Sequence, residues 1–420
     1  MKRRSVLLAA GAGAALWWLK PGDEGASYDE YFRTLNHELR HNGPHKPCLV
    51  LDLDRLDHNL GVVTRSIRAP KHLRVVAKSL PSIPLLDYVQ KKAGTGRLMA
   101  FHQPFLNLET KAFPTADILI GKPLPAASAQ VFYREHRGPF EPARQLQWLL
   151  DTPARLRQYL ELAQGQNTRM RINIELDVGL RRGGVVAGDT LAEMLHIIEG
   201  NAKHLEFSGF MGYDTHVVKV PSLIASRDKL FAHVRDTYKA CVEQVKSAHP
   251  KLWSDRLTFN AGGSPTYRLH ENETFANDIA VGSGLVKPAD FDLDTLAEHQ
   301  PALYIATPVL KSMDGVRVPG VEALSGLAAI WNPNLQKTYF IYGGRWMARY
   351  ESPRGLRENG LYGRSTNQEI ANGSAATALA VDDHAFLRPT QSEALMLQFG
   401  PLVVLRGGRV TDSWPVLPAG

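Results

Sequence analysis

Cysteine is nearly absent from this chain. Cys48 and Cys241 are the only two in 420 residues, and neither stands at metal-ligand spacing from other ligand types. That argues against a zinc cluster and leaves a disulfide between them without support. Internal repeats and low-complexity tracts are missing as well, and no G-x-G-x-x-G follows the first strand pattern, which disfavours an open dinucleotide-binding sheet. Excess charge is also lacking once the N-terminus is set aside. The formal charge is +7, but Lys2, Arg3, Arg4 and Lys20 stand in an opening stretch without acids, and removing those four charges leaves +3. A surplus that small points to neither nucleic acid nor a strongly anionic partner.

Long apolar runs are also scarce. The first residues carry a basic head, Lys2-Arg3-Arg4, followed by Ser5 to Leu8 and an Ala/Gly stretch ending at Leu16-Trp17-Trp18-Leu19. A run of about fourteen apolar residues is short for a membrane span and fits a signal segment over residues 1–22. Adjacent arginines followed by leucines suggest the twin-arginine route, which exports folded, cofactor-loaded proteins to the periplasm. No clear A-x-A cleavage site follows, so an uncleaved N-terminal membrane anchor stays open.

What the chain has is 44% apolar residues, enough for one large core and a smaller one. Residues 28–41 read as a short amphipathic helix ended by Pro44 and Pro47. Cys48 to Asp52 is a strand, and Asp54 caps a helix with Leu56, Leu60, Val63 and Ile67 on one face. Strand patterns then recur at 73–78, 97–103, 118–122, 147–151, 170–177, 205–213, 256–261 and 278–282. Helical patterns lie between most of them, one opened by Thr152-Pro153 and another over 221–246. Eight apolar strands joined by helices predict a parallel (β/α)8 TIM barrel over residues 45–295.

After residue 295 the pattern shortens. Strands are expected at 303–310, 326–331, 338–342, 385–388, 395–398 and 402–406, with a long Arg-, Gly- and Asn-rich loop over 345–375. This predicts a C-terminal, mostly antiparallel β domain over 296–420, which the early strand 48–52 can join.

In a barrel, chemistry gathers at the C-terminal ends of the strands. Lys78 closes the first barrel strand, and its amine, once neutral, is a nucleophile toward an aldehyde. A lysine in such a place is more often a snorkelling surface residue, so the other exits decide. Strand five leads to Arg182, a fixed cation whose plainer role is an ion pair with Asp177 or Glu175. Strand six leads to Tyr213 and His216, either of which can stack on a ring or move protons. Strands seven and eight leave through Gly262-Gly263-Ser264 and Gly282-Ser283-Gly284, where glycine lets backbone N–H groups approach an anion. Each glycine pair alone is an ordinary turn. Together, an aldehyde-capturing lysine facing two phosphate-sized nests fits pyridoxal phosphate, with Lys78, Tyr213 and His216 as catalytic candidates.

The chain resembles a known family in these residues. Pro47 to Asp54, Arg74 to Lys78, Asp177-Val178-Gly179 with Arg182, Gly212-Tyr213 with His216, Gly262-Gly263-Ser264, and Arg409 to Val416 are similar to fold-type III pyridoxal phosphate enzymes. The branch is that of the alanine racemase N-terminal domain, with D-threonine aldolases and eukaryote-type D-serine dehydratases. The resemblance runs from about residue 45 to the end. It implies a Schiff-base role for Lys78, Arg182 at the cofactor's phenolic oxygen, a phosphate cup at Gly262 to Ser264, and a homodimer. It departs at one place: the branch's His-x-Cys or His-x-Asp metal pair is replaced by Gln391-Ser392-Glu393. Glu393 can still ligate a hard divalent ion, but Gln391 is a weak ligand, and no thiolate is available for zinc. Arg345 and Arg388 are candidates to hold a substrate carboxylate.

The resemblance implies a lyase for D-configured β-hydroxy amino acids, either cleaving Cα–Cβ or eliminating the β-hydroxyl, and the sequence does not choose between them. A racemase is the alternative enzyme, with Tyr342, Tyr350 and Tyr362 available as a second base. A non-catalytic pyridoxal phosphate carrier is the alternative outside catalysis, disfavoured by the size of the C-terminal domain.

Overall fold

The structure is a computed structural model and describes residues 20–316 and 328–418. The N-terminal segment expected to act as a twin-arginine signal, with Arg3 and Arg4, therefore lies outside the described residues. No described helix is long and apolar enough to cross a membrane.

After a helix at Glu30–Asn42 comes strand β1 (Cys48–Asp52). Eight strands follow: β2 (His72–Val76), β3 (Arg97–Ala100), β4 (Asp117–Ile120), β5 (Leu146–Leu150), β6 (Met170–Glu175), β7 (Leu205–Gly212), β8 (Thr258–Ala261) and β9 (Asp278–Val281). They close in sequence order into a parallel barrel, with β9 pairing back onto β2 through Val281 and Val75. Helices connect most of them, and the TIM-barrel expectation holds. The helix at Pro153–Gly165 starts as its sequence requires, with the Thr152 hydroxyl accepting from the Arg155 amide and Pro153 in the first turn.

Polar residues fasten the barrel near the strands' N-terminal ends. Arg74 is fully buried and donates to Asp278 and to Asp117, each at 2.7 Å. Arg97 adds a 2.8 Å bond to Asp278, and the Gln147 amide donates to Asp117 and to the Thr258 hydroxyl. These bonds tie β2, β3, β4, β5, β8 and β9 across the interior. A buried guanidinium is tolerable only because its partners are charged and aligned.

The remaining strands are β10 (Leu303–Asp314), β11 (Lys337–Tyr342), β12 (Ala348–Ser352), β13 (Arg357–Glu358), β14 (Gln368–Gly373), β15 (His384–Pro389), β16 (Leu402–Arg406) and β17 (Arg409–Trp414). With β1 they build a nine-stranded sheet in the order β13-β14-β11-β10-β1-β16-β17, with β15 against β10 and β12 against β15. The β1–β10 pairing is antiparallel and the β1–β16 pairing parallel. Phe32, Leu35 and Leu39 of the first helix pack with Val50, Tyr304, Phe386 and Leu405 in this unit's core. Both cysteines are free and buried. Burial pushes the Cys48 thiol up to about 12, leaving it inert.

Several expectations are corrected. The two compact units interleave instead of dividing at residue 296. The segment up to Asp54, Leu303–Gln391 and Phe399–Ser413 form one, while Arg55–Ala302, Ser392–Gln398 and the segment from Trp414 form the other. Backbone bonds explain the return to the barrel unit: the Leu417 amide donates to the Pro81 carbonyl and the Ala302 amide to Val286. Residues 395–398 are not a strand, because a short helix occupies Glu393–Met396. The described part of 326–331 is helical too. The expected loop over 345–375 contains all of β12, β13 and β14. Lys78 does not end a strand: β2 stops at Val76, and Lys78 sits in a 3₁₀ turn, Ala77–Ser79, closed by the Leu80 amide on Ala77.

Candidate active site

All eight strand exits of the barrel contribute to one cavity of about 390 Å³. β2 supplies Lys78, β3 Phe101, β4 Lys122, β5 Asp151, β6 Glu175 and Arg182, and β7 Tyr213. β8 brings Gly262 to Pro265, and β9 brings Gly282 and Ser283. A volume of this size suits a small cofactor ring. A larger cavity, about 790 Å³, lies among the strands' N-terminal ends around Asp117, Arg171 and Glu206, at the end of a barrel that ordinarily serves stability.

Lys78 Nζ lies 2.7 Å from the Glu393 carboxylate and 4.8 Å from the Phe101 ring centroid. In the same cavity the Arg182 guanidinium sits 5.1 Å over the Tyr213 ring. Burial raises the Tyr213 phenol above its ordinary value, so it stays protonated. Glu175 is pushed up to about 7, first by burial and then by the neighbouring charge of Asp151. Arg182 opposes that rise without cancelling it.

The glycine exits are built for close approach. A Cβ on Gly263 would stand 2.6 Å from the Tyr213 ring, and one on Gly282 would stand 2.7 Å from Val76 Cβ. The Ser264 hydroxyl accepts from the Gly282 amide at 3.1 Å and the Gly284 amide at 2.8 Å, lacing the two exits together. The amides of Gly263, Ser264 and Ser283 have no acceptor among the described residues. A buried clasp holds the loop from below. Asp214 accepts from the Thr266 hydroxyl at 2.5 Å and meets His270 Nε2 at 2.6 Å, while Gly263 O accepts from the Thr266 and Tyr267 amides.

Of the sequence candidates, Lys78, Arg182, Tyr213, Gly262, Gly263, Ser264, Gly282 and Ser283 meet in this cavity. His216 does not line it. The chain turns into a short helix, His216–Lys219, directly after Thr215 and buries the imidazole beneath Gly179, where a Cβ would come within 2.9 Å of Nε2. Burial lowers its proton affinity, and neither ring nitrogen has a partner among the described residues. Gln391 is assigned to the sheet unit and Glu393 to the barrel unit, where Lys78 engages its carboxylate. Among the described residues no three His, Cys, Asp or Glu side chains are grouped to hold a metal. Arg345 and Arg388 belong to the sheet unit, where the Arg345 amide donates to Glu369 and Arg388 pairs with Glu351. Phe101, Lys122, Asp151 and Glu175 were not singled out as site residues. Each falls at or near the end of an expected strand, so reading every exit alike would have found them.

The alanine racemase N-terminal domain model matches residues 51–288, more than half of the chain. The chain belongs to this family. Its members are fold-type III pyridoxal phosphate enzymes, and the residues present fit that cofactor: an amine for the aldehyde, a fixed cation and uncommitted amides for anionic groups. The chain is 23% identical over 278 residues to the 3-hydroxy-D-aspartate aldolase of Paracoccus denitrificans (strain Pd 1222). That match spans 61% of this chain and 62% of the relative's length. The fold is that of the D-threonine aldolase from Filomicrobium marinum, with a TM-score of 0.69 at 16% identity over 88% of this chain and 96% of the other. The D-threo-3-hydroxyaspartate dehydratase from Delftia sp. HT23 shares it too, with a TM-score of 0.68 at 17% identity over 89% and 98%.

Proposed function

We propose that the chain is a pyridoxal phosphate-dependent lyase for D-configured β-hydroxy amino acids. The observation that carries the reading is the Lys78 amine inside a cavity walled by the Arg182–Tyr213 stack and the two glycine exits, in a chain similar to a 3-hydroxy-D-aspartate aldolase. Lys78 would hold the cofactor through its aldehyde, its amine being the nucleophile the cavity offers for that bond. The uncommitted amides of Gly263, Ser264 and Ser283 would hold the phosphate, and Ser264 keeps the two exits in register through the Gly282 and Gly284 amides. Arg182 is the fixed cation at the ring's phenolic oxygen, with Tyr213 as the proton-bearing group beside it. When bound, the cofactor takes up the electron pair released at the substrate's Cα. Tyr350, one of the tyrosines available to a racemase, gives its hydroxyl to Glu369 at 2.6 Å, which favours a structural role for it.

The test is a panel of amino acids on the cofactor-loaded protein. A lyase gives glycine and acetaldehyde from D-threonine, or pyruvate and ammonia from D-serine. Interconversion of alanine or serine enantiomers without fragments would make it a racemase. Lys78→Ala must lose the borohydride-trapped cofactor adduct, whatever the substrate. Export through the twin-arginine route and assembly as a homodimer belong to the same proposal. Replacing Arg3 and Arg4 by lysine should hold the protein in the cytoplasm on fractionation.

A further inference from the structure

Glu393 reaches the barrel from a distant part of the chain. Its helix, Glu393–Met396, stands between β15 and β16 in sequence yet clusters with the barrel unit. Buried Leu395 and Met396 anchor it, and Ser392 Oγ lies 3.3 Å from Ser283 Oγ at the β9 exit. The carboxylate thereby stands 2.7 Å from Lys78 Nζ, both side chains remaining open to the cavity at 37% and 36% exposure.

We propose that Glu393 is the base that takes the proton of the substrate's β-hydroxyl, in place of a divalent ion. This rests on the lyase reading above. The ion pair lasts only while Lys78 is an ammonium. Once that nitrogen is committed to the aldehyde, the carboxylate faces the cavity without its counter-ion, and an uncompensated charge seeks a proton donor. A β-hydroxy amino acid bears its hydroxyl on the carbon beside Cα. A carboxylate within hydrogen-bond reach of the nitrogen site is therefore within reach of the hydroxyl as well. In the cleavage, the O–H proton passes to Glu393, the C–O bond becomes C=O, and the Cα–Cβ bond breaks with its electron pair left at Cα. Lys78, released as a free amine by the substrate, takes that proton from Glu393 across their contact and delivers it to Cα. One proton leaves oxygen and one arrives at carbon; nothing is oxidised or reduced. The donor set agrees, since Glu393 has a cation beside it and belongs to no group of three metal-ligating side chains among the described residues.

The experiment compares two reactions of the holoenzyme: acetaldehyde release from D-threonine, and solvent deuterium uptake at Cα of D-alanine, which has no hydroxyl. Glu393→Gln is expected to lose about 100-fold or more in the first, the usual worth of a positioned base, and less than about threefold in the second. Glu393→Asp should recover part of the loss. Independently of turnover, elemental analysis of the purified protein and calorimetric titration with MnCl2 should show no stoichiometric ion. Equal loss in both reactions would make Glu393 a positioning residue for Lys78 and overturn the proposal. Undiminished release from Glu393→Gln, or one bound ion per chain that this variant loses, would overturn it too. If wild-type protein releases no fragment from any D-β-hydroxy amino acid, the lyase reading fails first and the base role falls with it.

Discussion

Replacing Gly282 by alanine tests the phosphate cradle directly. The added Cβ would lie 2.7 Å from Val76 Cβ, 2.8 Å from Ser79 Oγ and 2.9 Å from Ser79 Cβ. None of these atoms ends a flexible side chain. Val76 is the last residue of β2, and Ser79 Oγ is tied to Ser283 Oγ at 3.0 Å. Ordinary contact needs roughly half an ångström more, so the exit of β2 must move, and that exit carries Lys78. Overpacking of this kind costs about 1–3 kcal/mol. If the moved turn is also the one that holds the cofactor, its affinity falls by a similar free energy, about 5- to 150-fold. Equilibrium dialysis with pyridoxal phosphate reads the affinity, and urea unfolding of the cofactor-free protein reads the stability. Gly96→Ala, where a Cβ meets nothing within 4 Å, is the control and should change neither. A Gly282→Ala protein that loses stability but binds the cofactor within twofold of wild type would refute the assignment of this exit to the cradle.

Three further outcomes are expected. Arg74→Met leaves Asp278 and Asp117 without their buried cation and should cost about 3–5 kcal/mol in urea unfolding, unless a second substitution removes the acids too. Glu109 is fully buried without a hydrogen-bond partner among the described residues, and burial pushes its carboxyl from an ordinary 4.5 up to about 8. The folded state then holds the proton more tightly, so this group's contribution is full below pH 4.5 and is lost as pH rises through about 8. Glu109→Gln should remove that decline, worth up to about 5 kcal/mol, from thermal unfolding measured across the range. Glu175 gains its charge as pH rises through about 7, so affinity for the anionic cofactor should fall there. Glu175→Gln should remove that step while keeping the phosphate's own titration, which dialysis of both proteins across pH separates.

The barrel was legible because parallel strands buried on both faces are written as unbroken apolar runs. The expected strands overlap β2 to β9 one for one and mostly overrun their C-terminal ends. The overrun has a cause: residues such as Phe101 and Tyr213 are apolar or aromatic because they wall the cavity, not because they stay in the ladder. The sheet unit was harder to read. β12, β13 and β14 have the sequences ARYES, RE and QEIANG, too polar and short for a pattern of period two to stand out. Leu395 to Gln398 shows the reverse failure, since a short apolar run does not say whether it is strand or helix. In the site, Lys78, Arg182, Tyr213 and the glycines could be brought together from topology alone, because each stands at a strand exit. His216 was misplaced because only the turn after Thr215 decides which way it faces. Glu393 was assigned to a metal because its place beside Lys78 depends on a late return of the chain to the barrel unit, which no local pattern encodes.

The charges in the cavity explain why an anionic cofactor and a raised Glu175 belong together. Lys78, Lys122 and Arg182 face Asp151, Glu175 and Glu393, so a bare count predicts neutrality. One fact breaks that balance. Lys78 and Glu393 cancel as a pair at 2.7 Å, whereas burial keeps Glu175 protonated up to about 7. What remains is two cations, Lys122 and Arg182, against Asp151 alone. A phosphate arriving at the glycine exits meets that excess in a setting with few competing water dipoles, where Coulomb terms are strong. Its charge in turn favours the proton on Glu175, by the same linkage that lets the proton favour the phosphate. Lys78 gives up its ammonium in the same event, which is what frees Glu393. A single binding step therefore sets the charge of two carboxyl groups in one cavity, keeping Glu175 protonated while it exposes Glu393 as a base.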